Sequence, residues 1–464
     1  MRENRRSGLR SQVPALATRA RLALSLLGLA LAGLAAALWL GRGARAAGPL
    51  AQEGYVWQRG WDAAAASRAR GAGLGGVVAL AAEASFGHRP ARIVELALPA
   101  APAPAGGLGL ALRLGPLPQG FAAAPEAADG AVLLARRAVA RARAAGWRPS
   151  ELQIDFDAAA ARLADYARLV RRVRREVAPL PVTVTALPSW LGRSGGFAEL
   201  AAAADGFVLQ VHSLERPAGP AARLTICDPA AAVTAVERAA RFLRPFRVAL
   251  PTYGYVVAFD RGGRFLGLAA EGPGLLWPAG TRLRAVSSDP DAIARLVAGW
   301  QRDRPRELRG ILWYRLPAHG DRLNWRWPTL RAVMAGRAPR MEVTAVRRAA
   351  AEAPLIAEIE LVNTGEAPSP LPVAVAIRWA ENRLLAADGV ASYGVRRGGR
   401  GELWLVRRGA GAVAAAASPE VAGVPVEPLE PLEPLEPGER RPIGWLRFDR
   451  PTEVHIEIAA APRW

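Results

Sequence analysis

Ser150-Glu151-Leu152-Gln153-Ile154-Asp155-Phe156-Asp157 says more about the architecture than any other segment of the chain. Taken as a strand of period two, it puts Gln153, Asp155 and Asp157 on one face and Leu152, Ile154 and Phe156 on the other. The next residues, 158–177, carry a helical pattern, and a second apolar strand comes after them at Pro181–Leu187. A βαβ order makes the sheet parallel, and a parallel sheet is covered on both faces. Carboxylates in line on a covered face are costly unless they are hydrogen-bonded or used. In a closed (β/α)8 barrel, inward residues at the C-terminal end of a strand line the mouth, and Asp157 is expected there.

Ahead of this strand, Gly54–Arg59, Gly75–Glu83 and Leu108–Leu114 read as three more, with a helix over Ala131–Ala145. Arg92–Leu98 is also strand-like and reads as an irregular insertion. After the central strand come Val182–Leu187, Phe207–His212, Arg247–Leu250 and Gly310–Leu316. A hairpin is expected around Asp260-Arg261-Gly262-Gly263, a capped helix from Ser288-Asp289-Pro290, and a last short helix over Trp327–Ala335. Eight strands over about 280 residues have the size and rhythm of a (β/α)8 TIM-type barrel. A doubly wound open sheet would call for a glycine-rich phosphate loop, which the sequence lacks.

Near Met341 the texture changes to short alternating strands, expected at Leu355–Val362, Val373–Trp379, Glu402–Arg407, Trp445–Phe448 and Val454–Ile458. This predicts a small all-β sandwich over 339–464, after a barrel domain over 48–338. Within it, 427–439 is rich in proline and glutamate and reads as an extended surface loop.

The 464 residues include 61 basic ones, all arginine, and a formal charge of +20. Residues 1–46 carry +7 of it, leaving +13 for the rest. With no recognisable nucleic-acid-binding module, no nucleic-acid partner is expected. Arg136-Arg137 and the run 171–175 (Arg-Arg-Val-Arg-Arg) fall on predicted outer helices, where a solvated face is the plain reading. Leu22–Leu40 is uncharged and mostly apolar, with six arginines and one glutamate before it. The positive-inside rule then keeps the N-terminus in the cytoplasm and exports the rest of the chain, to the periplasm or the extracellular space. Residues 1–47 serve as a signal peptide or a signal anchor; Ala44-Arg45-Ala46 fits a cleavage site, and 22–40 is just long enough to hold the chain in the inner membrane. The only cysteine, Cys227, leaves no intramolecular disulfide.

Several segments together resemble the bacterial family called domain of unknown function 3142 (DUF3142), over roughly 54–330. They are Tyr55-Val56-Trp57-Gln58-Arg59, the 151–157 strand, Thr185-Ala186-Leu187-Pro188-Ser189-Trp190-Leu191, Leu209-Gln210-Val211-His212-Ser213, Ala249-Leu250-Pro251-Thr252-Tyr253-Gly254-Tyr255, and Leu312-Trp313-Tyr314-Arg315-Leu316-Pro317. That family name carries no activity. A more distant resemblance, to the chitinase-like barrels of glycoside hydrolase family 18, does carry one. Their fourth strand ends in an Asp-x-Asp-x-Glu signature, similar to Gln153, Asp155 and Asp157 here. The resemblance implies Asp157 as general acid and Asp155 as its partner in steadying the substrate's own acetamide. It implies Gln210 and Tyr253 as residues that orient the sugar, a polar pair at the mouth similar in position to Gln210 and His212, and Trp313 as a platform beneath the sugar; His212 itself is a ligand contact or a histidine hydrogen-bonded to a neighbouring backbone. Aspartate at 157 is one methylene shorter than glutamate, and Gln153 removes a carboxylate. Either the pocket is tighter, or another acid such as Glu83 or Glu271 donates the proton, or catalysis is lost.

The remaining candidates have two readings each. Trp57, Trp190 and Trp313 are sugar-stacking platforms or packing residues. Arg59 and Arg315 pair with the aspartates or bind an anionic sugar, or they serve structural ion pairs. The other three histidines (His88, His319, His455) are scattered, so neither a metal site nor a cofactor is expected. The sequence thus predicts an exported glycoside-hydrolase-like protein acting on a polysaccharide or oligosaccharide. The alternative is a non-catalytic glycan-binding or envelope-assembly protein on a degenerate barrel.

Overall fold

The computed structural model describes residues 44–58, 68–87, 91–98, 107–115, 124–192, 196–270, 276–318, 320–348, 353–408 and 434–459. The expected N-terminal segment at 22–40 and most of the 427–439 loop lie outside them. Eight parallel strands form the centre: β1 (Ala51–Val56), β2 (Gly76–Ser85), β3 (Leu108–Leu114), β4 (Pro149–Phe156), β5 (Val182–Ala186), β6 (Gly206–Gln210), β7 (Phe246–Pro251) and β8 (Leu308–Tyr314). Each pairs with the next, and β8 returns to β1 with Gly310 opposite Ala51 and Trp313 opposite Gly54. That last pairing closes the sheet into the expected barrel. Arg92–Glu95 runs antiparallel along the outer half of β2, as an insertion between β2 and β3.

Helices α1 (Pro125–Ala144), α2 (Leu163–Val177), α3 (Gly196–Ala203), α4 (Pro229–Ala240), α5 (Pro290–Arg302) and α6 (Trp327–Met334) surround the strands. α1 begins ahead of its expected start because Pro125 opens it at a position that needs no backbone N–H. The side chains of Asp228 and Asp289 cap α4 and α5, accepting hydrogen bonds from first-turn amides. On α2, Leu163, Tyr166, Ala167, Val170, Val173 and Val177 form the buried stripe. Its arginines face water and pair with neighbouring helices and loops: Arg171 with Glu199 at 3.0 Å, Arg172 with Asp129, Arg174 with Asp205. Such exposed pairs contribute about 0.2–1 kcal/mol each, so the basic run is a solvated face, as read from the sequence.

Inside the barrel, Val78, Leu80, Ala111, Val208, Ala249 and Leu312 form an apolar band, with Tyr55 and Trp57 toward the mouth. Toward the opposite end the filling is ionic. Arg247 on β7 reaches both oxygens of Glu151 on β4 at 2.7 Å and also bonds Glu53 on β1. The Thr183 hydroxyl on β5 donates to Glu151 at 2.7 Å. Four strands are therefore tied across the interior around one guanidinium, whose proton is held more tightly by its two carboxylate partners.

Between β7 and β8, Gly254–Phe259, Phe265–Ala269 and Arg282–Ser287 form a three-stranded antiparallel sheet. Its first turn is the expected Asp260–Gly263, where Gly263 takes φ +82° and the Arg264 amide donates to Asp260. Beyond the barrel, two four-stranded antiparallel sheets span Val343–Ala459 and share one core that includes Ile359, Leu361, Val375, Leu405, Ile443 and Phe448. This is the expected sandwich. Arg337 pairs in fork geometry with Glu366, joining the segment after α6 to the sandwich and holding that carboxyl down at about 2.

Removing a buried charge partner strands the others. Arg247→Met is expected to lower the stability of the barrel by about 3–5 kcal/mol, measured by urea denaturation. A loss below about 1 kcal/mol would show that Glu53 and Glu151 are not held by this arginine.

Candidate functional site

The inward face of β4 carries a polar ladder. Glu151 belongs to the ionic layer at the closed end. One step up, Gln153 is 0% exposed; its Oε1 accepts from the Tyr55 hydroxyl, and its Nε2 has no partner among the described residues. Next comes Asp155, 7% exposed, whose Oδ1 accepts from the Thr185 hydroxyl at 2.7 Å and whose Oδ2 accepts from Arg113 Nη1 at 3.2 Å. Burial pushes the Asp155 carboxyl above its ordinary value; Arg113 pulls it back, the Asp157 charge adds to the rise, and the Thr185 bond opposes it. Asp157 stands one residue past the end of β4, exposed, and no described residue hydrogen-bonds or ion-pairs with its carboxylate.

These two aspartates border a cavity of about 150 Å³ at the barrel mouth. Its walls are Tyr55, Trp57, Arg113, Thr185, Gln210, His212, Ala249, Tyr253, Tyr255 and Tyr314. Tyr55, Trp57 and Tyr314 pack edge to face with centroids 5.3–5.6 Å apart. His212 stacks on Tyr314 at 5.2 Å, and its Nδ1 lies 3.2 Å from the Tyr253 hydroxyl, itself 3.2 Å from that of Tyr255. Gln210 Nε2 donates to the His212 carbonyl at 3.3 Å. Burial pushes the His212 imidazole down to about 3, so it is neutral at physiological pH, and raises the Tyr253 and Tyr314 phenols. A second cavity of about 720 Å³ shares Asp157, Gln210 and His212 with the first, and it continues between the 187–189 and 213–226 segments.

Asp155, Asp157, Gln210, His212, Tyr253 and Trp57 all line one hollow. Gln153 lies directly beneath it. Glu83 lies to one side, in a neighbouring pocket of about 210 Å³ with Arg92 and Arg113. Arg59 and Glu271 are outside the described residues. Two expectations are corrected. Trp313 is 0% exposed and faces the helices, its indole N–H donating to Gln52 at 2.7 Å, so it is no platform at the mouth. β8 ends at Tyr314 with Leu312 inside, and that parity gives the mouth to Tyr314. Arg315 is buried and paired with Asp321 at 2.7 Å rather than with the β4 aspartates. Trp190 is a core residue, donating to the Ala158 carbonyl and packing on Tyr166 and Phe197.

Sequence reasoning missed Arg113, the cation that reaches Asp155. Its signal was a single charge in the apolar strand Leu108–Leu114, in register with Asp155. Thr185, Tyr55 and Tyr314 were also passed over, although each lies inside one of the segments that carry the family resemblance. Among the described residues, no group of three or more His, Cys, Asp or Glu is placed to hold a metal ion.

Residues 124–319 match the model for "Domain of unknown function (DUF3142)". No curated protein matches the chain. Similar solved structures include a chitinase from Chromobacterium violaceum, 15% identical, covering 62% of this chain and 98% of that one at a TM-score of 0.40. The Bacillus cereus spore cortex-lytic enzyme SleL is 12% identical, covering 63% of this chain and 75% of its own at 0.41. A chitinase from Flavobacterium johnsoniae is 12% identical, covering 62% and 94% at 0.40. The barrel is established by its own closed strand register rather than by these likenesses. The stretch that matches the DUF3142 model runs from the residue before α1 to just past β8 and holds Asp155, Asp157, His212 and Tyr253.

Proposed function

We propose that this is an exported glycoside-hydrolase-like protein that cleaves a polysaccharide or oligosaccharide, with Asp157 as proton donor. The observation that carries this reading is the contrast between the two β4 aspartates. Asp155 is buried and bonded at both oxygens, while Asp157 is open where the two cavities join. A general acid must reach the glycosidic oxygen, and only the second carboxyl is free to do so. Tyr55, Trp57 and Tyr314 offer aromatic surface for a pyranose face, and Gln210 and Tyr253 offer hydrogen bonds to its rim. The larger cavity falls in the usual volume range of about 300–1,000 Å³ for small-ligand sites.

Asp155 is engaged by Thr185 and Arg113, so it is poorly placed to attack an anomeric carbon. Its charge instead suits steadying a positive intermediate beside it. A substrate that brings its own acetamide nucleophile needs no second free carboxylate, and an N-acetylated glycan fits this division of labour. The alternative, a glycan-binding protein without turnover, draws on the short reach of the Asp157 side chain. Export rests on the arginine-flanked 22–40 segment, with cleavage or retention as an inner-membrane anchor both open. Among the described residues no helix is long and apolar enough to cross a membrane.

Asp157→Asn is expected to lower kcat by about 10²–10⁴-fold on whichever N-acetylated or bacterial polysaccharide the wild type degrades, while glycan binding persists. Turnover unchanged in that variant sinks the assignment, and wild-type binding without turnover leaves the glycan-binding reading. For export, a reporter enzyme that works only outside the cytoplasm should be active when fused after residue 47 and silent when residues 1–40 are deleted; equal activity in both fusions would contradict it.

His212 gives a pH prediction of its own. In the folded protein its imidazole stays neutral down to about 3, whereas the unfolded chain takes up that proton near 6.5. Its contribution to stability is thus present in full above about pH 6.5 and is lost as pH falls toward 3. Urea denaturation of His212→Asn between about pH 6.5 and 4 should show a shallower fall in stability than the wild type, and parallel curves would refute it.

A further inference from the structure

The chain enters the barrel at its closed end. Arg45–Ala46 pairs antiparallel with Arg304–Pro305, just ahead of β8, and the Arg306 amide donates to the Ala44 carbonyl at 2.9 Å. Arg45 is fixed there by Asp303 and by Glu237 on α4, each at 2.8 Å. The apolar segment 22–40 ends four residues before Ala44, and four residues of chain reach at most about 14 Å. With 22–40 in a bilayer, the closed end stands next to the lipid surface.

The charge at that end suits such a neighbour. Arg148 precedes β4, Arg241 and Arg244 precede β7, and Arg302, Arg306 and Arg309 lie between α5 and the start of β8. All six are exposed, and none pairs with an acid among the described residues. The arginines Arg171, Arg172 and Arg174 on the flank of the barrel differ, because acids on neighbouring elements take them up. Near the chain's entry, Glu237 and Asp303 are already engaged by Arg45. The mouth carries the opposite sign, with Asp157, Glu215 and Asp228 against Arg223 around its larger cavity. An anionic plane is attracted by one end of this barrel and repelled by the other.

Among these arginines stands a leucine that folding does not explain. The turn after α4 sends Phe242 inward onto Phe197, with centroids 4.8 Å apart, and leaves Leu243 76% exposed. Leu243 takes φ +54°, in the left-handed region that favours glycine. An exposed, strained apolar tip between Arg241 and Arg244 gains nothing in water. At a lipid interface its side chain leaves water and the guanidiniums meet phosphates.

We infer that the closed end of the barrel docks on an anionic phospholipid surface, with Leu243 among the headgroups and the surrounding arginines on lipid phosphates, so that the mouth faces away from the membrane. This rests on the export reading with 22–40 in the membrane, and a separate measurement decides it.

The test uses the full chain in nanodiscs of phosphatidylcholine, with or without phosphatidylglycerol, in a Cys227→Ser background. A fluorophore on Leu243→Cys should shift to the blue and lose most of its quenching by aqueous acrylamide when phosphatidylglycerol is present. A fluorophore on Ser189→Cys, exposed at the mouth, should stay open to the quencher in both discs. Arg241→Gln and Arg244→Gln should each lower the docked-to-free ratio about fivefold. High salt should undo the shielding with no further variant. A 243 label that responds equally to both discs, a mouth label that is shielded, or a 243 label shielded by soluble polygalacturonate and not by the anionic disc overturns the inference. A shielded 243 label with a silent export reporter refutes export alone. An active reporter with an open 243 label refutes the docking alone.

Discussion

A strand that turns three polar side chains into a closed barrel sets the terms for everything around it. Glu151, Gln153 and Asp155 leave water when β4 takes its place, and each must be bonded or the barrel is penalised. The partners come from other strands: Arg247 and Thr183 for Glu151, Tyr55 for Gln153, Thr185 and Arg113 for Asp155. The polar ladder thus fixes which residues β1, β3, β5 and β7 turn inward. Closure and site are products of one constraint.

The same ladder grades the chemistry along the axis. At the closed end, charge is balanced by Arg247 between two carboxylates and serves structure. In the middle, the apolar band excludes water. At the mouth, the balance is incomplete: Asp155 shares a half-exposed Arg113, and Asp157 has no described partner. Polar groups engaged below and open above are the pattern of a site held rigid from beneath and addressed from solvent. The aromatic ring of Tyr55, Trp57, Tyr314 and Tyr253 adds a wall that is apolar on its faces and polar at its hydroxyls, suited to a ligand of the same mixed character.

Much of this was legible in the chain. Period-two alternation at 150–157 marked β4 and the face its aspartates would take. Strand–helix alternation gave the barrel, and the change in texture near Met341 gave the sandwich. The ambiguities came from parity at strand ends. Trp313 reads as sugar platform or packing residue and Arg315 as partner of the aspartates or structural ion pair; the register of β8 against β1 and β7 turns Leu312 and Tyr314 inward and selects the second reading of each. One residue of register exchanges the two faces of a strand, and an apolar strand carries no local signal to fix it. Arg113 was hidden by the converse problem: one charge in an apolar strand looks like a surface residue until its neighbour is known.

Periodicity and the local chemistry of caps and turns were enough to give the eight barrel strands in order and the face of β4 that bears the acids, while helices α3 and α4 and the sandwich strands Val343–Arg348, Leu384–Gly389 and Tyr393–Arg397 went unread. It took the closed barrel to tie Asp155 down and leave Asp157 open, to bring Tyr314 and Arg113 beside them, and to bury His212 against Tyr314. Those outcomes depend on side chains from strands far apart in the chain meeting across the barrel axis, and strand pairing and closure set such distances while no local pattern encodes them.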